Sequence, residues 1–187
     1  MATIDELLAD ASHRMDKSVE AAAHELSTVR TGRASAALLD RIHVDYYGQK
    51  TPLRQLATIN VPEPRLLTVQ PFDPSSLKAV ERAIQESDLG LTPSNDGKVI
   101  RLPVPQLTEE RRRDLVKVVR HLAEEGRVAV RHVRRDLMHH LKELVRDGDV
   151  GDDEERRAED RAQKLTDEHV KRIDELLKRK EDEIMEV

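Results

Sequence analysis

The chain has 187 residues, with 32 Lys and Arg against 37 Asp and Glu, a formal net charge of -5 and a pI near 5.9. Charged residues make up 37% of it and aromatics only 2%, which argues against a thick globular core, because aromatic rings bury the most area per residue. The absence of cysteine removes disulfides, thiolate zinc sites, iron–sulfur clusters and cysteine nucleophiles together.

The opening Met1-Ala2-Thr3-Ile4-Asp5-Glu6 lacks the basic and apolar regions of a signal peptide and is acidic where a transit peptide is arginine-rich. No apolar run in the chain approaches the roughly 20 residues that span a bilayer. A cytoplasmic protein with no membrane partner is expected. Thr3 and Glu6 form a capping box that starts a first helix over roughly residues 3–29. Its apolar residues, Ile4, Leu8, Ala11, Met15, Val19, Ala22, Leu26 and Val29, step by threes and fours, the seam of a helix packed on other helices. High charge with few aromatics also marks disordered chains, but this periodicity has no place in one.

Residues 31–105 differ in kind, and all eight prolines fall there. Ile42-His43-Val44-Asp45-Tyr46-Tyr47 alternates and is rich in β-branched and aromatic residues, so it reads as a strand; Leu66-Leu67-Thr68-Val69 and Val99-Ile100-Arg101-Leu102 read likewise. Residues 75–87 read as a helix with Leu77, Val80, Ala83 and Ile84 on one face, and Asp96-Gly97 as a turn before the last strand. One of Tyr46 and Tyr47 should face the core and the other the surface, since strand neighbours point oppositely. The result is a small β/α/β domain joined to the rest by two crossings, near 30–35 and 103–107. Two short crossings with little else between domains act as a hinge, here Arg30, Thr31, Gly32 and Arg33 with Pro103, Val104 and Pro105.

The longest helix runs over roughly 108–147, with Thr108 as N-cap and Glu109 and Glu110 at the positive end of its dipole. Its seam is Leu115, Val119, Leu122, Gly126, Val130, Val133, Leu137, Leu141 and Leu144. Gly126 costs about 1 kcal/mol in a helix interior, and its place in the seam suggests a close helix approach. A break at 147–151 precedes a third helix, capped by Asp152 with Glu155, whose seam is Ala158, Ala162, Leu165, His169, Ile173, Leu176 and Ile184. So short a loop makes the last two helices antiparallel. The expected fold is therefore α+β: an elongated antiparallel three-helix bundle of residues 1–30 and 106–187, with 31–105 inserted.

For chemistry, HExxH, GxSxG and Walker-type glycine loops are absent, and the turn at 147–152 has Ala158 where a calcium loop needs a bidentate Glu. His139 and His140 are adjacent on a helix and point apart, and His169 falls in a seam as a structural histidine. No enzyme activity, metal or cofactor is expected. Charge patterning says more. On the long helix Arg113, Lys117, Arg120, Arg127, Arg131 and Arg134 recur at steps of four, three, seven, four and three, with Arg135 bordering them and Glu124 interrupting. They share roughly 100° of arc and should face away from the seam, since Leu115 lies roughly 200° from Arg113. Asp and Glu are absent from 126–135, so Arg127, Arg131 and Arg134 have no acidic neighbour four residues away. Either acidic residues of the third helix neutralise this face, or an arginine stripe unpaired on its own helix makes a specific polyanion contact, because the planar guanidinium fork suits phosphates. Without aromatics on the helices, backbone contact to a structured nucleic acid fits better than base stacking. An adaptor bundle or a carboxylate enzyme on the inserted domain would leave the stripe without a use.

Six stretches, in order, carry a resemblance: Arg30-Thr31-Gly32-Arg33-Ala34-Ser35, Tyr46-Tyr47-Gly48, Thr51-Pro52-Leu53-Arg54-Gln55-Leu56-Ala57, Ser87-Asp88-Leu89-Gly90-Leu91, Leu107-Thr108-Glu109-Glu110-Arg111-Arg112 and Arg127-Val128-Ala129-Val130-Arg131-His132-Val133-Arg134-Arg135-Asp136. The chain resembles the bacterial ribosome recycling factors over essentially its whole length. The resemblance implies an L-shaped, transfer-RNA-like monomer that binds the post-termination ribosome. With elongation factor G and GTP it would split the subunits and release messenger and transfer RNA. Arg131, Arg134 and Arg135 match family arginines that meet large-subunit ribosomal RNA. Arg127 is a further candidate in the same motif, with Arg113, Lys117 and Arg120 as possible additional contacts. The two crossings match the family's hinge, and the small domain would be the part that elongation factor G pushes.

Overall fold

A computed structural model describes residues 2–186, so Met1 and Val187, the ends of the expected bundle, lie outside the described residues. The chain forms two compact units, one of residues up to Arg30 with Glu109–Glu186, the other of Thr31–Thr108.

The first unit is a three-helix bundle. Helix α1 (Ile4–Thr28) starts at the expected capping box: Glu6 N–H donates to Thr3 Oγ1 at 3.2 Å, and Thr3 N–H donates to Glu6 Oε2 at 2.8 Å. The long helix, which becomes α4 in chain order, spans Glu109–Arg146, and the last helix, α5, spans Asp152–Met185. At 1.5 Å per residue the 38 residues of α4 make a rod of about 57 Å. Cross-helix bonds fix the directions. Asp5 meets Arg161 and Asp16 meets Arg172, so α1 and α5 run parallel; Arg120, Arg127 and Arg134 meet Glu181, Asp174 and Gln163 in reverse order, so α4 runs against both. The core is Leu8, Ala11, Met15, Val19 and Ala22 of α1 against Ala123, Val130, Val133, Leu137 and Leu141 of α4 and Ala158, Ala162 and Ile173 of α5.

Three details of the seams differ from expectation. Ala123, fully buried, takes the place given to Leu122, which is only half-buried. Either residue fits the three-four stepping, and the smaller one wins beside Gly126, where the helices come closest. A Cβ on Gly126 would lie 2.9 Å from Ala22 Cβ and 3.2 Å from Ile173 Cδ1, so glycine is there to admit both neighbours. In α5, Thr166 is buried while Leu165 and Leu176 are half-buried, and Thr166 satisfies its hydroxyl on the Ala162 carbonyl at 2.8 Å. The cap of α5 is Gly151, whose N–H donates to Glu154 Oε2 at 3.2 Å, one residue earlier than the expected pair of Asp152 and Glu155.

The second unit begins with a 3-10 turn, Ala36–Leu39, and a hairpin of β1 (His43–Tyr46) and β2 (Gln49–Pro52). A short helix α2 (Leu53–Leu56) leads to β3 (Ala57–Glu63) and β4 (Leu66–Pro71). Helix α3 (Leu77–Gln85) follows, then β5 (Ser94–Asn95) and β6 (Ile100–Pro103). The larger sheet has order β3-β4-β6-β5, antiparallel throughout. Leu39, Val44, Leu53, Leu67, Val69, Val80, Ile84, Ile100 and Leu102 form its core. The three expected strands and the helix are present. Strands β2, β3 and β5 escape a reading by alternation because they bury almost nothing: Ala57 is their one buried residue. Strand β3 is an edge strand, and Pro62 sits where its register shifts, the kind of place a sheet tolerates proline.

The second crossing ends at Thr108, three residues beyond the expected boundary at 105/106. Backbone bonds explain this. Ala34 N–H donates to Pro64 O and Val104 N–H to Arg65 O, both at 2.7 Å, tying both crossings to the β3–β4 turn. Leu107 lies against Gly32: a Cβ on that glycine, whose φ is +76°, would come within 3.0 Å of Leu107 Cγ.

Candidate nucleic-acid interface

The basic residues of α4 form two rows rather than one free stripe. Arg120, Arg127 and Arg134 repeat every seven residues. Because seven residues fall about 20° short of two full helical turns, the row drifts toward α5 as it descends α4. Each of its members is tied to that helix. Arg120 Nε donates to Glu181 Oε1 at 2.6 Å, Arg127 Nε to Asp174 Oδ1 at 2.7 Å, and Arg134 Nη1 to Gln163 Oε1 at 3.1 Å. Gln163 in turn donates to Asp167 Oδ1 at 2.8 Å.

The second row, Lys117, Arg131 and Arg135, lies farther round the helix. Lys117 and Arg135 are exposed, and Arg131 is half-exposed with Nη1 donating to Glu124 Oε1 at 3.2 Å. Arg113, at the start of α4, is exposed and paired with Glu109 of its own first turn.

The expectation that Arg127, Arg131 and Arg134 stand unpaired is therefore corrected. Arg127 is the most changed. Its side chain is only 18% exposed and is shared between Asp174 and Glu124, the latter at 2.9 Å. Burial works against its charge, and the bonds to Asp174 and Glu124 outweigh that, so its pKa is raised. Glu124 is held below the usual carboxylate range, chiefly by the hydrogen bond from Arg127 and also by Arg131, so both pairs persist at neutral pH. The sequence did show Glu124 inside the stripe; a pair three residues apart is as available on a helix as one four apart. Asp174, Glu181 and Gln163 carried no such signal, because their register against α4 is set only by packing. Arg134 bonds to a neutral amide and not to a carboxylate.

The face continues toward α1. Asp136 accepts from Arg14 Nη2 at 2.8 Å. Its carboxyl is held below the usual range, first by that bond, with His132 and His140 contributing attraction. The exposed surface over 131–140 thus presents Arg131, Arg134, Arg135, His132, His139 and His140 against the single carboxylate Asp136. Such a surface attracts phosphates and offers guanidinium forks to them, which is the electrostatic footprint of a nucleic-acid contact.

His169 is structural, as expected, and its setting explains why. It is buried, with Nδ1 2.7 Å from the Leu165 carbonyl and Nε2 2.8 Å from Asp16 Oδ1. Asp16 also accepts from Arg172 at 2.7 Å, and that bond, followed by the one from His169, holds its carboxyl below the usual range. Both ring nitrogens lie within hydrogen-bond distance of oxygens, one on α5 and one on α1, which pins the ring between the two helices. Among the described residues no group of three or more His, Asp or Glu is placed to hold a metal ion, and no helix is long and apolar enough to cross a membrane.

The residues of the two crossings, expected to act as a hinge, sit as follows. Thr31 is buried, Arg30 and Arg33 are exposed, Gly32 holds a positive φ, and Pro103, Val104 and Pro105 run along the β3–β4 turn.

Comparison with known proteins adds a second line of observation. The family model described as Ribosome recycling factor matches residues 22–185. The ribosome-recycling factor of Rubrobacter xylanophilus is 60% identical, over 96% of this chain and 97% of the relative. That of Halalkalibacterium halodurans is 58% identical, over 97% and 98%. A solution structure of the ribosome recycling factor aligns over 100% of both chains at 43% identity, with a TM-score of 0.69. The Thermus thermophilus ribosome recycling factor, in models that also hold Escherichia coli elongation factor G bound to the E. coli post-termination complex, aligns at 49% identity with a TM-score of 0.62. That alignment covers 98% of this chain and 100% of the other. With most of its length matched and relatives at this identity spanning it end to end, the chain belongs to the ribosome recycling factor family.

Proposed function

We propose that this protein binds the post-termination ribosome and, together with elongation factor G and GTP, splits it into subunits, freeing messenger and transfer RNA for another round of synthesis. It acts in the cytoplasm as a translation factor; GTP hydrolysis belongs to elongation factor G. The observation that carries the reading is the outer basic row of α4 on a bundle of the recycling-factor family. Arg131, Arg134 and Arg135 pair with ribosomal RNA phosphates, and Lys117 extends the row. Arg113 and Arg120 add weaker attraction at its upper end. Arg127, bonded to α5, serves by holding the face in shape more than by meeting RNA itself.

The bundle is the rigid body. Its helices are fixed to one another by a continuous apolar seam and by ion pairs on every flank. Docking through guanidinium–phosphate pairs anchors it. The crossings at 30–35 and 103–107 then let the small unit swing when elongation factor G acts on it, and the swing disrupts contacts between subunits.

Subunit splitting tests this. Post-termination ribosomes are mixed with the protein, a matched elongation factor G and GTP, and light scattering is followed as each component is withheld. A fall in scattering that needs all three is expected. No fall with folded protein and active factor would overturn the reading.

A further inference from the structure

One line of α4 runs on past the arginine motif. His132, Arg135, His139, Lys142 and Arg146 follow one another at steps of three, four, three and four, and all five are exposed. Such stepping keeps them on one stripe along about 21 Å of the rod. No Asp or Glu occupies a position of the stripe. It ends in the last turn of the helix. At its upper end Glu124 and Glu125 separate it from His121, which pairs with Glu125 at 3.1 Å.

Two members of the stripe are histidines that the fold does not use. Neither belongs to the apolar core of the bundle. His139 reaches Glu143 at 3.4 Å with its side chain 72% exposed, and an exposed pair of this kind contributes little. His132 lies in the field of Asp136, whose carboxylate already accepts from Arg14 of α1.

The other charges at this level come from all three helices. On α4, Arg131 and Arg135 stand beside the histidines, and the His140 ring is centred 6.0 Å from that of His139. On α1, Asp10 and Lys17 lie about one turn to either side of Arg14. On α5, Arg156, Glu159, Asp160 and Asp167 lie one or two turns from Gln163, and Asp167 is bonded to it. That edge of α5 meets α4 at Arg134, roughly 150° round the helix from the two histidines. The histidine side of the face is thus bordered by arginine and lysine, and its nearest carboxylates are Asp136 and Glu143, both engaged.

Arg135 sits three residues after His132 and four before His139, so both rings are its neighbours on the helix surface. A phosphate held by Arg135 therefore comes within reach of them. A neutral imidazole offers such a phosphate one N–H; an imidazolium offers two and a charge. Histidine changes charge between pH 5 and 8, and an anion brought beside the ring favours the charged form. We infer that His132 and His139 are phosphate-binding residues of the nucleic-acid contact, so that the contact takes up protons as it forms and tightens as pH falls. This rests on the function proposed above, to which it adds two residues and a proton dependence.

Binding to isolated large ribosomal subunits, at one salt and magnesium concentration, tests it. The double variant His132→Asn with His139→Asn should bind within about twofold of wild type near pH 8 and about fivefold more weakly near pH 6. Reading the variant against wild type at each pH cancels titration of the ribosome itself. His132→Lys with His139→Lys carries a fixed charge and should bind more tightly than wild type near pH 8. His121→Asn, beyond the break at Glu124 and Glu125, should keep the wild-type profile. Calorimetry near pH 6.5 in two buffers of different ionisation enthalpy should show proton uptake that the double Asn variant lacks. All these positions are exposed, so the melting temperatures should match wild type. A double Asn variant with the wild-type pH profile, an equal loss near pH 6 and pH 8, or unchanged proton uptake would each overturn the inference while leaving the proposed function standing. Failure of the wild type to bind large subunits at either pH would overturn both.

Discussion

Replacing Arg127 and Arg135 by alanine, one at a time, should produce two different defects although both lie in one basic motif. Arg135 is exposed on the outer row, so its removal should cost the fold no more than about 0.5 kcal/mol. It should instead remove one phosphate pair. Each such pair contributes roughly 0.7–0.9 to the slope of log affinity against log salt. A fourfold rise in salt would then weaken ribosome binding about threefold less in the variant than in wild type. Arg127 is the converse case. Its side chain is 18% exposed and bridges Asp174 and Glu124, which are themselves 52% and 51% exposed. Those carboxylates regain water when the guanidinium is lost, so each pair is worth only about 0.2–1 kcal/mol. The packed stem adds to that. A total near 1–2 kcal/mol corresponds to a fall in Tm of roughly 3–6 °C. The salt slope should barely change. Melting followed by circular dichroism and ribosome pelleting over a salt series give both quantities. Equal slope losses in the two variants, with Tm unchanged in Arg127→Ala, would refute the division into an inner and an outer row.

Gly126→Ala gains about 1 kcal/mol of helix propensity but forces a Cβ to 2.9 Å from Ala22 Cβ and 3.2 Å from Ile173 Cδ1. Ala22 can retreat only with its helix, and overpacking of this kind costs about 1–3 kcal/mol. The variant should therefore melt lower, and adding Ala22→Gly should cost less in its background than in wild type; a higher Tm for Gly126→Ala alone would show the contact to be soft. Gly32→Ala adds strain at φ +76° and a 3.0 Å approach to Leu107, whereas Gly48→Ala at φ +80° meets nothing within 4 Å. Denaturant melts should place Gly32→Ala below Gly48→Ala. The carboxyl of Asp16 is held low by Arg172 and His169. A depressed folded pKa stabilises the native state above the unfolded value of about 4, and that contribution is lost as pH falls through the folded value. Asp16→Asn should accordingly melt lower than wild type at pH 7, with the gap closing toward pH 3; a gap constant with pH would contradict the pairing.

Much of the fold is legible in the chain because helices carry their period in the residues themselves. The seams of α1, α4 and α5, the Thr3 cap, and the glycine at a close approach follow from local spacing. Strands β2 and β3 do not announce themselves, because an edge or hairpin strand that buries one residue or none has no alternation to read. The basic face divides in the same way. That arginines concentrate on one side of α4 is a matter of 100° per residue, and so is the presence of Glu124 among them. Which of them remain available is not.

Composition, helical periodicity and the ordered motifs determine the class, the bundle with its insertion, and the existence of a cationic face. Tertiary structure alone decides that Asp174, Glu181 and Gln163 of α5 reach across to Arg127, Arg120 and Arg134, while Lys117 and Arg135 stay exposed and Arg131 turns to Glu124 of its own helix. It alone brings the Tyr46 hydroxyl to Asp73, 27 residues away. The physical reason is range. Periodicity and capping act over three or four residues and are written in neighbouring side chains. The pairing of one helix with another depends on axial register, which the packing of the whole apolar seam sets at once.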